Sequence, residues 1–248
     1  CDWSSDVCSS DLNKVSFTDG TNTSWILRRQ PKVSVFTASG TWTPDPTALY
    51  VIIEAQGAGG GSSTINAPAT GIAFSNSGSG GGYVKALFPT QTVARTVTVG
   101  TSSANNPGGA SSVGTLVNAS GGVAGTTTSL SLPISAFTVT GTASINGGAA
   151  GTQSGGTLIY ACGGGAVAEA VATILGSSTV TTVVIQNGGN SHLGIGGRSG
   201  QDFGAVNLNG ATGTGYGSGG GGSAQSNGGA AIGVAGTNGI VIITEYYF

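Results

Sequence analysis

Charge is what this chain has least of. Of 248 residues, Lys and Arg supply 7, Asp and Glu 9 and His 1, so charged residues are 6% of the chain. An ordinary globular domain carries roughly 25%. That scarcity excludes a basic nucleic-acid footprint or a polybasic membrane patch. Methionine is absent and cysteine occurs three times. No run of about 18 apolar residues is present, so no membrane-spanning helix is expected. Chemistry-bearing side chains are as sparse. Cys162 and His192 stand thirty residues apart, no carboxylates form a close pair, and no phosphate loop of the Gly-Lys-Ser/Thr kind exists. Gly57-Ala-Gly59 follows an apolar run as a dinucleotide turn would, but Ser62 stands where the last glycine is needed. The expectation is a protein with no cofactor, no metal and no catalytic set.

Glycine takes the vacant places, with 48 residues against a usual share of about 7%. Mean hydropathy is +0.20 and Val, Ile and Thr are plentiful, which argues for a folded chain rather than a disordered one. Glycine inside an ordinary helix or strand costs roughly 0.5–1 kcal/mol relative to Ala. The glycines therefore belong in turns, in bulges, or in polyproline-II-like segments packed too closely for a Cβ. Two readings stand at this point: packed segments, or flexible loops on a plain sandwich.

The first twelve residues, CDWSSDVCSSDL, are of another chemistry. They hold two of the three cysteines and three of the nine acids. Asp2, Asp6 and Asp11, with no Lys or Arg, do not suit a signal peptide. Residues 2–12 resemble the in-frame translation of a short-read sequencing adapter. Residues 1–12 are accordingly read as a non-native scar on a metagenomic gene, with the true upstream part lost. Without them the charges become seven basic against six acidic, and only Cys162 remains.

Strands are expected at Val33–Thr37, Leu49–Ile53, Gly82–Phe88, Val93–Val99, Val113–Val117, Ala136–Val139, Leu158–Tyr160, Thr179–Ile185 and Gly239–Tyr247. The continuous apolar run Leu49–Ile53 suggests a strand covered on both faces. Ala166–Leu175 is the one helical candidate, although its Ala and Val suit a strand nearly as well. Glycine tracts at Gln56–Ser63, Ser75–Gly82, Asn146–Gly156, Cys162–Gly165, Gly194–Gly200 and Gly213–Gly236 recur without a fixed period.

The order VFTASGTWTPDP, LYVIIEAQGAGGG, GSGGGYVKALF, RTVTVG, GGASSVGTLVNASGG, then GTGYGSGGGGSAQSNGG and GTNGIVIITEY, resembles the glycine-rich domains at the ends of bacteriophage tail fibres and related adhesins. The resemblance covers residues 33–248, with 13–32 as a lead to the lost upstream region. Gln56-Gly-Ala departs from the family's pattern, as does the long Val/Thr-rich middle. It implies an all-β domain, a sandwich or jelly-roll-like scaffold with glycine-rich inserts, in a virion tail fibre or otherwise outside the cell. The implied function is non-enzymatic: binding a bacterial surface glycan or outer-membrane protein, as a homo-oligomer or on a fibre shaft, with no nucleic-acid partner and no membrane insertion. The alternative is a structural subunit of an extracellular filament or surface layer, assembled by strand addition.

The densest polar stretch is Asn190–Phe203. It gathers His192, Arg198, Asp202 and Phe203 in fourteen residues. Arg can clamp carboxylates or sugar hydroxyls, Asp can accept from hydroxyls, and Phe can stack on a sugar ring. These four, with Tyr216 inside the last glycine tract, form the expected receptor site, and the Ile65–Asn76 loop is the alternative. Tyr216 is read either as a tip contact or as a plug over the end of the sandwich. The terminal Tyr246-Tyr247-Phe248 suits core or subunit contact better than a receptor site.

Overall fold

The computed structural model describes residues 14–18, 23–27, 29–131, 137–140, 145–167, 171–175, 179–199, 201–202 and 207–247. Among them every regular element is a strand and every strand pairing is antiparallel, so the fold is all-β. Sheet I runs, in spatial order, Thr157–Cys162, Tyr83–Pro89, Tyr50–Gln56, Ile240–Tyr246, Lys32–Phe36. Sheet II runs Thr152–Gln153, Val117–Ala119, Ser111–Val113, Arg95–Thr98, Gly40–Trp42. One apolar cluster joins them. Val51, Ile53, Ala55, Val84, Ala86, Phe88, Val241 and Ile243 come from sheet I, and Trp42, Val97, Val113, Val117 and Ala119 from sheet II. The two sheets are therefore the halves of a sandwich, with β-branched residues alternating into its core.

Three details differ from the sequence reading. Along Tyr50–Gln56, burial alternates before the strand passes wholly inside, so only one face of the run is covered by sheet II. Val113–Val117 is not one strand: Gly114, at φ +49°, turns the chain into a hairpin whose arms are Ser111–Val113 and Val117–Ala119. The helical candidate is also corrected. Val171–Leu175 is a strand between Phe137–Thr140 and Thr179–Val184, and Val167 bridges Ile145. A Val/Thr-rich stretch with partners available on both sides gains more from ladder pairing than from a helix.

The glycine segments 57–62 and 76–82 are neither loops nor strands. In segment 57–62 every amide donates outward, and every third one goes to the same neighbour. Gly57 and Gly60 donate to the carbonyls of Gly82 and Ser79, Ala58 and Gly61 to those of Gly109 and Asn106, Gly59 and Ser62 to those of Thr237 and Val234. Segment 75–82 repeats the rule. Ser75, Gly78 and Gly81 donate to Ser223, Gly220 and Gly217, while Asn76, Ser79 and Gly82 donate to Thr126, Val123 and Ser120. A threefold rotation of donors with no bonds inside the segment is the signature of the polyproline-II helix. Each segment is thus a rod bonded sideways to several others, which satisfies buried backbone groups without a sheet.

Such spacing leaves no room for a side chain. A Cβ on Gly60 would lie 2.0 Å from the Val123 carbonyl oxygen, and one on Gly219 would lie 1.9 Å from that of Gly78. Positive φ explains few of the glycines in these rods, Gly217 at +76° being one. Close approach explains the rest, as it does at the axis of collagen. The bundle is buried: residues 71–84 and 217–225 are all inside. Gln56 sits at its junction with the sandwich, its Nε2 donating to Gly81 O at 2.9 Å and Gly82 O at 3.0 Å.

Candidate functional site

The rods give the molecule two ends. From sheet I, Gln56 leads out along 57–62, and the chain returns along 75–82 into Tyr83. Residues 217–223 run outward, and 232–239 return into the Ile240–Tyr246 strand. Beyond the rods lie small sheets, in spatial order Thr127–Ser131, Gly71–Ser75, Ala224–Ser226, Asn207–Leu208, and Phe137–Thr140, Val171–Leu175, Thr179–Val184, Gln201–Asp202. A two-stranded ladder pairs Ile65–Asn66 with Ala230–Ala231. These elements form the far end.

The sandwich end is latched to the segment that leads into sheet I. Arg29 pairs with Asp45 at 2.9 Å and lies 4.2 Å over the Tyr247 ring. The buried carboxylate of Glu245 accepts from the Asp45 amide at 2.6 Å and pairs with Lys32 at 3.1 Å. Bonds from the Thr47 hydroxyl and amide, aided by Arg29, hold the Asp45 carboxyl down to about 2.

The expected receptor residues do not gather at one place. His192 and Tyr216 lie at the sandwich side, where Leu193–Ile195 pairs with Thr214–Tyr216 and Leu193 faces Tyr216. The His192 ring stacks 4.1 Å from that of Tyr83 and 5.3 Å from that of Tyr160. Beneath it the Tyr83 hydroxyl donates to Glu54 at 2.6 Å, and Lys85 pairs with Glu54 at 3.0 Å. Burial, then the Glu54 bond, pushes the Tyr83 hydroxyl pKa up. A hydrogen bond with Cys162 raises that of Tyr160. Arg198 lines a separate cleft of about 260 Å³ with Ile185, Gln186, Asn187 and Ser199. Asp202 belongs to a far-end strand, opposite Val183. Phe203 lies outside the described residues. The separation has a plain cause: the chain leaves the Leu193–Ile195 strand, bonds into the glycine bundle through Gly197, and reaches a different sheet at Gln201–Asp202, and extended chain advances about 3 Å per residue. Neighbours in sequence become opposite ends in space.

The far end instead presents a surface of which the sequence reading named one half, the Ile65–Asn76 loop, as the next candidate. Loops 64–70 and 227–232 are tied together by backbone bonds: Ala67 to Gly229 O, Asn227 to Gly71 O and Gly228 to Pro68 O, at 2.8–2.9 Å. Beneath them Ile65, Ala67, Ala73 and Ala231 form a small apolar core. Thr64, Asn66, Ala69 and Asn227 are exposed on top, and Ile232 is 82% exposed. Asn227 holds φ +50°, a conformation uncommon outside glycine. This patch carries no charge. The signal in sequence was two Asn-containing stretches, INAPAT and SNGGAAI, which nothing in composition distinguishes from other loops.

Among the described residues no group of three His, Cys, Asp or Glu side chains could hold a metal ion. Among them, too, no helix is long and apolar enough to cross a membrane. No protein-family model matches the chain, and no curated protein matches it.

Proposed function

We propose that this protein is the receptor-binding tip of an extracellular fibre, such as a phage tail fibre, and acts without catalysis. The observation that carries this reading is the threefold-bonded glycine bundle set between the sandwich and the far-end loops. Its rods contain almost no side chains, so the loops can vary while the support stays the same. The latched sandwich end receives the chain from upstream, and the far end is the part free to meet a cell. An uncharged patch of Asn, Thr and Ile on a fixed base suits a neutral, hydroxyl-rich ligand, which favours a surface glycan or an uncharged loop of an outer-membrane protein. The filament alternative draws on the Lys32–Phe36 strand, at the edge of sheet I with no outer neighbour among the described strands.

The test is adsorption of the fluorescently labelled protein to a panel of bacterial isolates. Ile232→Asp combined with Asn227→Ala abolishes adsorption while circular dichroism stays unchanged, and Arg198→Ala leaves it intact. Adsorption that survives the far-end changes refutes the assignment.

A further inference from the structure

The face of sheet I turned away from sheet II brings exposed rings and a charged pair close together. The register sets Tyr160, Lys85 and Glu54 side by side on adjacent strands, with Thr157, Leu87 and Ile52 in the next row. Pro89 and Tyr50 follow in a third row, where Tyr50 stacks on Tyr246 at 4.7 Å. Tyr160 is 46% exposed and Tyr50 39%, whereas Tyr83 is buried against His192. His192 is itself exposed, and its ring stands 5.3 Å from that of Tyr160. Together with the Leu193–Ile195 strand that follows it, His192 walls the face on the side of the glycine bundle. Towards the other end, Tyr50, Leu87, Pro89 and Thr157 line a notch of about 440 Å³. The centre between them is polar but has no net charge. Glu54 accepts from the Tyr83 hydroxyl at 2.6 Å and pairs with Lys85 at 3.0 Å, both side chains being partly exposed. Among the described residues Lys85 has no other partner, which leaves two ammonium donors for a ligand, and each Glu54 oxygen keeps a lone pair.

We infer that this face is a second ligand site, which binds a neutral glycan chain by stacking one pyranose on Tyr160 and bridging its neighbouring hydroxyls to Lys85 and Glu54. The site is separate from the far-end patch, and the inference does not depend on what that patch binds. A pyranose has an apolar C–H face and a rim of hydroxyls, and the exposed ring beside the ion pair matches both. The 3.0 Å between the Lys85 and Glu54 charges is close to the spacing of adjacent hydroxyls on a sugar ring. One hydroxyl accepts from Lys85 while the next donates to Glu54. An acidic ligand would be repelled by Glu54 and a cationic one by Lys85, so the pair selects an uncharged polyol. From Tyr160 the track crosses two strands and two rows to Tyr50, a diagonal of roughly 16 Å. A short oligosaccharide covers that length, passing over Leu87 and Thr157 to stack a later sugar on Tyr50. The sheet offers a flat floor, which suits the flat chain that equatorial linkages give. So open a site binds weakly, with a dissociation constant on the order of 1 mM. That is too weak to hold a cell alone, and it adds to the far-end contact rather than replacing it.

Titration of the full chain with cellohexaose, a flat and neutral chain, followed by NMR chemical shifts, tests this. Shifts gather at Tyr160, Lys85, Glu54 and Tyr50 and saturate with a constant on the order of 1 mM. Glucose binds at least about tenfold more weakly, because it reaches one ring only. Tyr160→Ala weakens cellohexaose binding by at least about tenfold, while Tyr160→Phe binds as the native chain does, since the ring makes the contact. Lys85→Met, which removes the donor and leaves the ring, also weakens it, and thermal melts confirm that each variant is folded. An absence of shifts at several times the expected constant overturns the inference. So do shifts confined to the far-end loops, glucose that binds as tightly as cellohexaose, and a Tyr160→Ala protein that binds unimpaired. A Tyr160→Phe protein that loses as much as Tyr160→Ala overturns it as well.

Discussion

Replacing Gly219 by Ala puts the packing of the rods under direct load. The added carbon would sit 1.9 Å from the Gly78 carbonyl oxygen, 2.5 Å from its carbon and 3.0 Å from the Gly189 nitrogen. To bring the oxygen even to 3.0 Å, the two rods must part by about 1 Å. The bonds from Gly78 to Gly220 O at 2.8 Å and from Gly219 to Gly189 O at 2.9 Å cross those gaps, and both would break or bend. Overpacking costs typically 1–3 kcal/mol, and each buried amide left unpaired a further 1–3. With each cost in the lower half of its range, as suits bonds that bend before they break, the expected loss is about 3–6 kcal/mol, a large part of the 5–15 kcal/mol that holds most domains folded. At roughly 2–4 °C per kcal/mol for a chain of this size, the melting temperature falls by about 6–24 °C. Gly221→Ala, aimed 2.1 Å from the Arg198 carbonyl oxygen, behaves alike. Gly40→Ala is the control: its Cβ would meet only Phe36 ring carbons at 3.7 and 3.8 Å, and its φ is not positive. That change is neutral or stabilises by about 0.4–1 kcal/mol through the unfolded chain. Thermal unfolding followed by circular dichroism separates the cases. A Gly219→Ala protein that melts with or above the native one refutes packed rods and restores the flexible-loop reading.

Other outcomes follow from the same geometry. Asp45, held to about 2 against an ordinary 3.8, contributes stability that is present above about pH 4 and lost as pH falls towards 2. Acid titration of the melting temperature shows that fall, and Asp45→Asn removes it. Gln56→Leu strips Gly81 O and Gly82 O of a buried donor and costs about 1–3 kcal/mol in denaturant unfolding; an unchanged midpoint would show that the junction does not need it. If residues 1–12 are the scar that their sequence resembles, deleting them leaves the melting temperature unchanged; a fall of several degrees would show them to be native.

The sandwich was legible because its strands announce themselves. Lys32–Phe36, Tyr50–Gln56, Tyr83–Pro89 and Ile240–Tyr246 lie within a few residues of the runs read from β-branched alternation. The energetic oddity of so many glycines also pointed to close packing. What could not be read was connectivity in space. Rod segments bond to partners more than 170 residues away, as Ser62 and Val234 do across 172, and every tract is composed of much the same few residues. No side-chain pattern marks which tract adjoins which. The cluster drawn around Asn190–Phe203 assumed one compact loop, whereas the structure puts Leu193–Ile195 and Gln201–Asp202 in strands of different sheets. Of the far-end patch only the Ile65–Asn76 half could be suspected, because Asn66, Asn227 and Ile232 acquire their common meaning only once two distant loops are bonded together. The tyrosines of sheet I could be placed in a strand, but not on its uncovered face.

Amide hydrogen exchange at Gly57–Ser62 tests the central claim most directly. All six amides of that buried segment donate to neighbouring rods. The account predicts protection as strong as that of Ile53 and Ala55 in the adjoining strand, lost only on global unfolding. Exchange within seconds at neutral pH at these positions would mean an open glycine loop and would contradict the bundle.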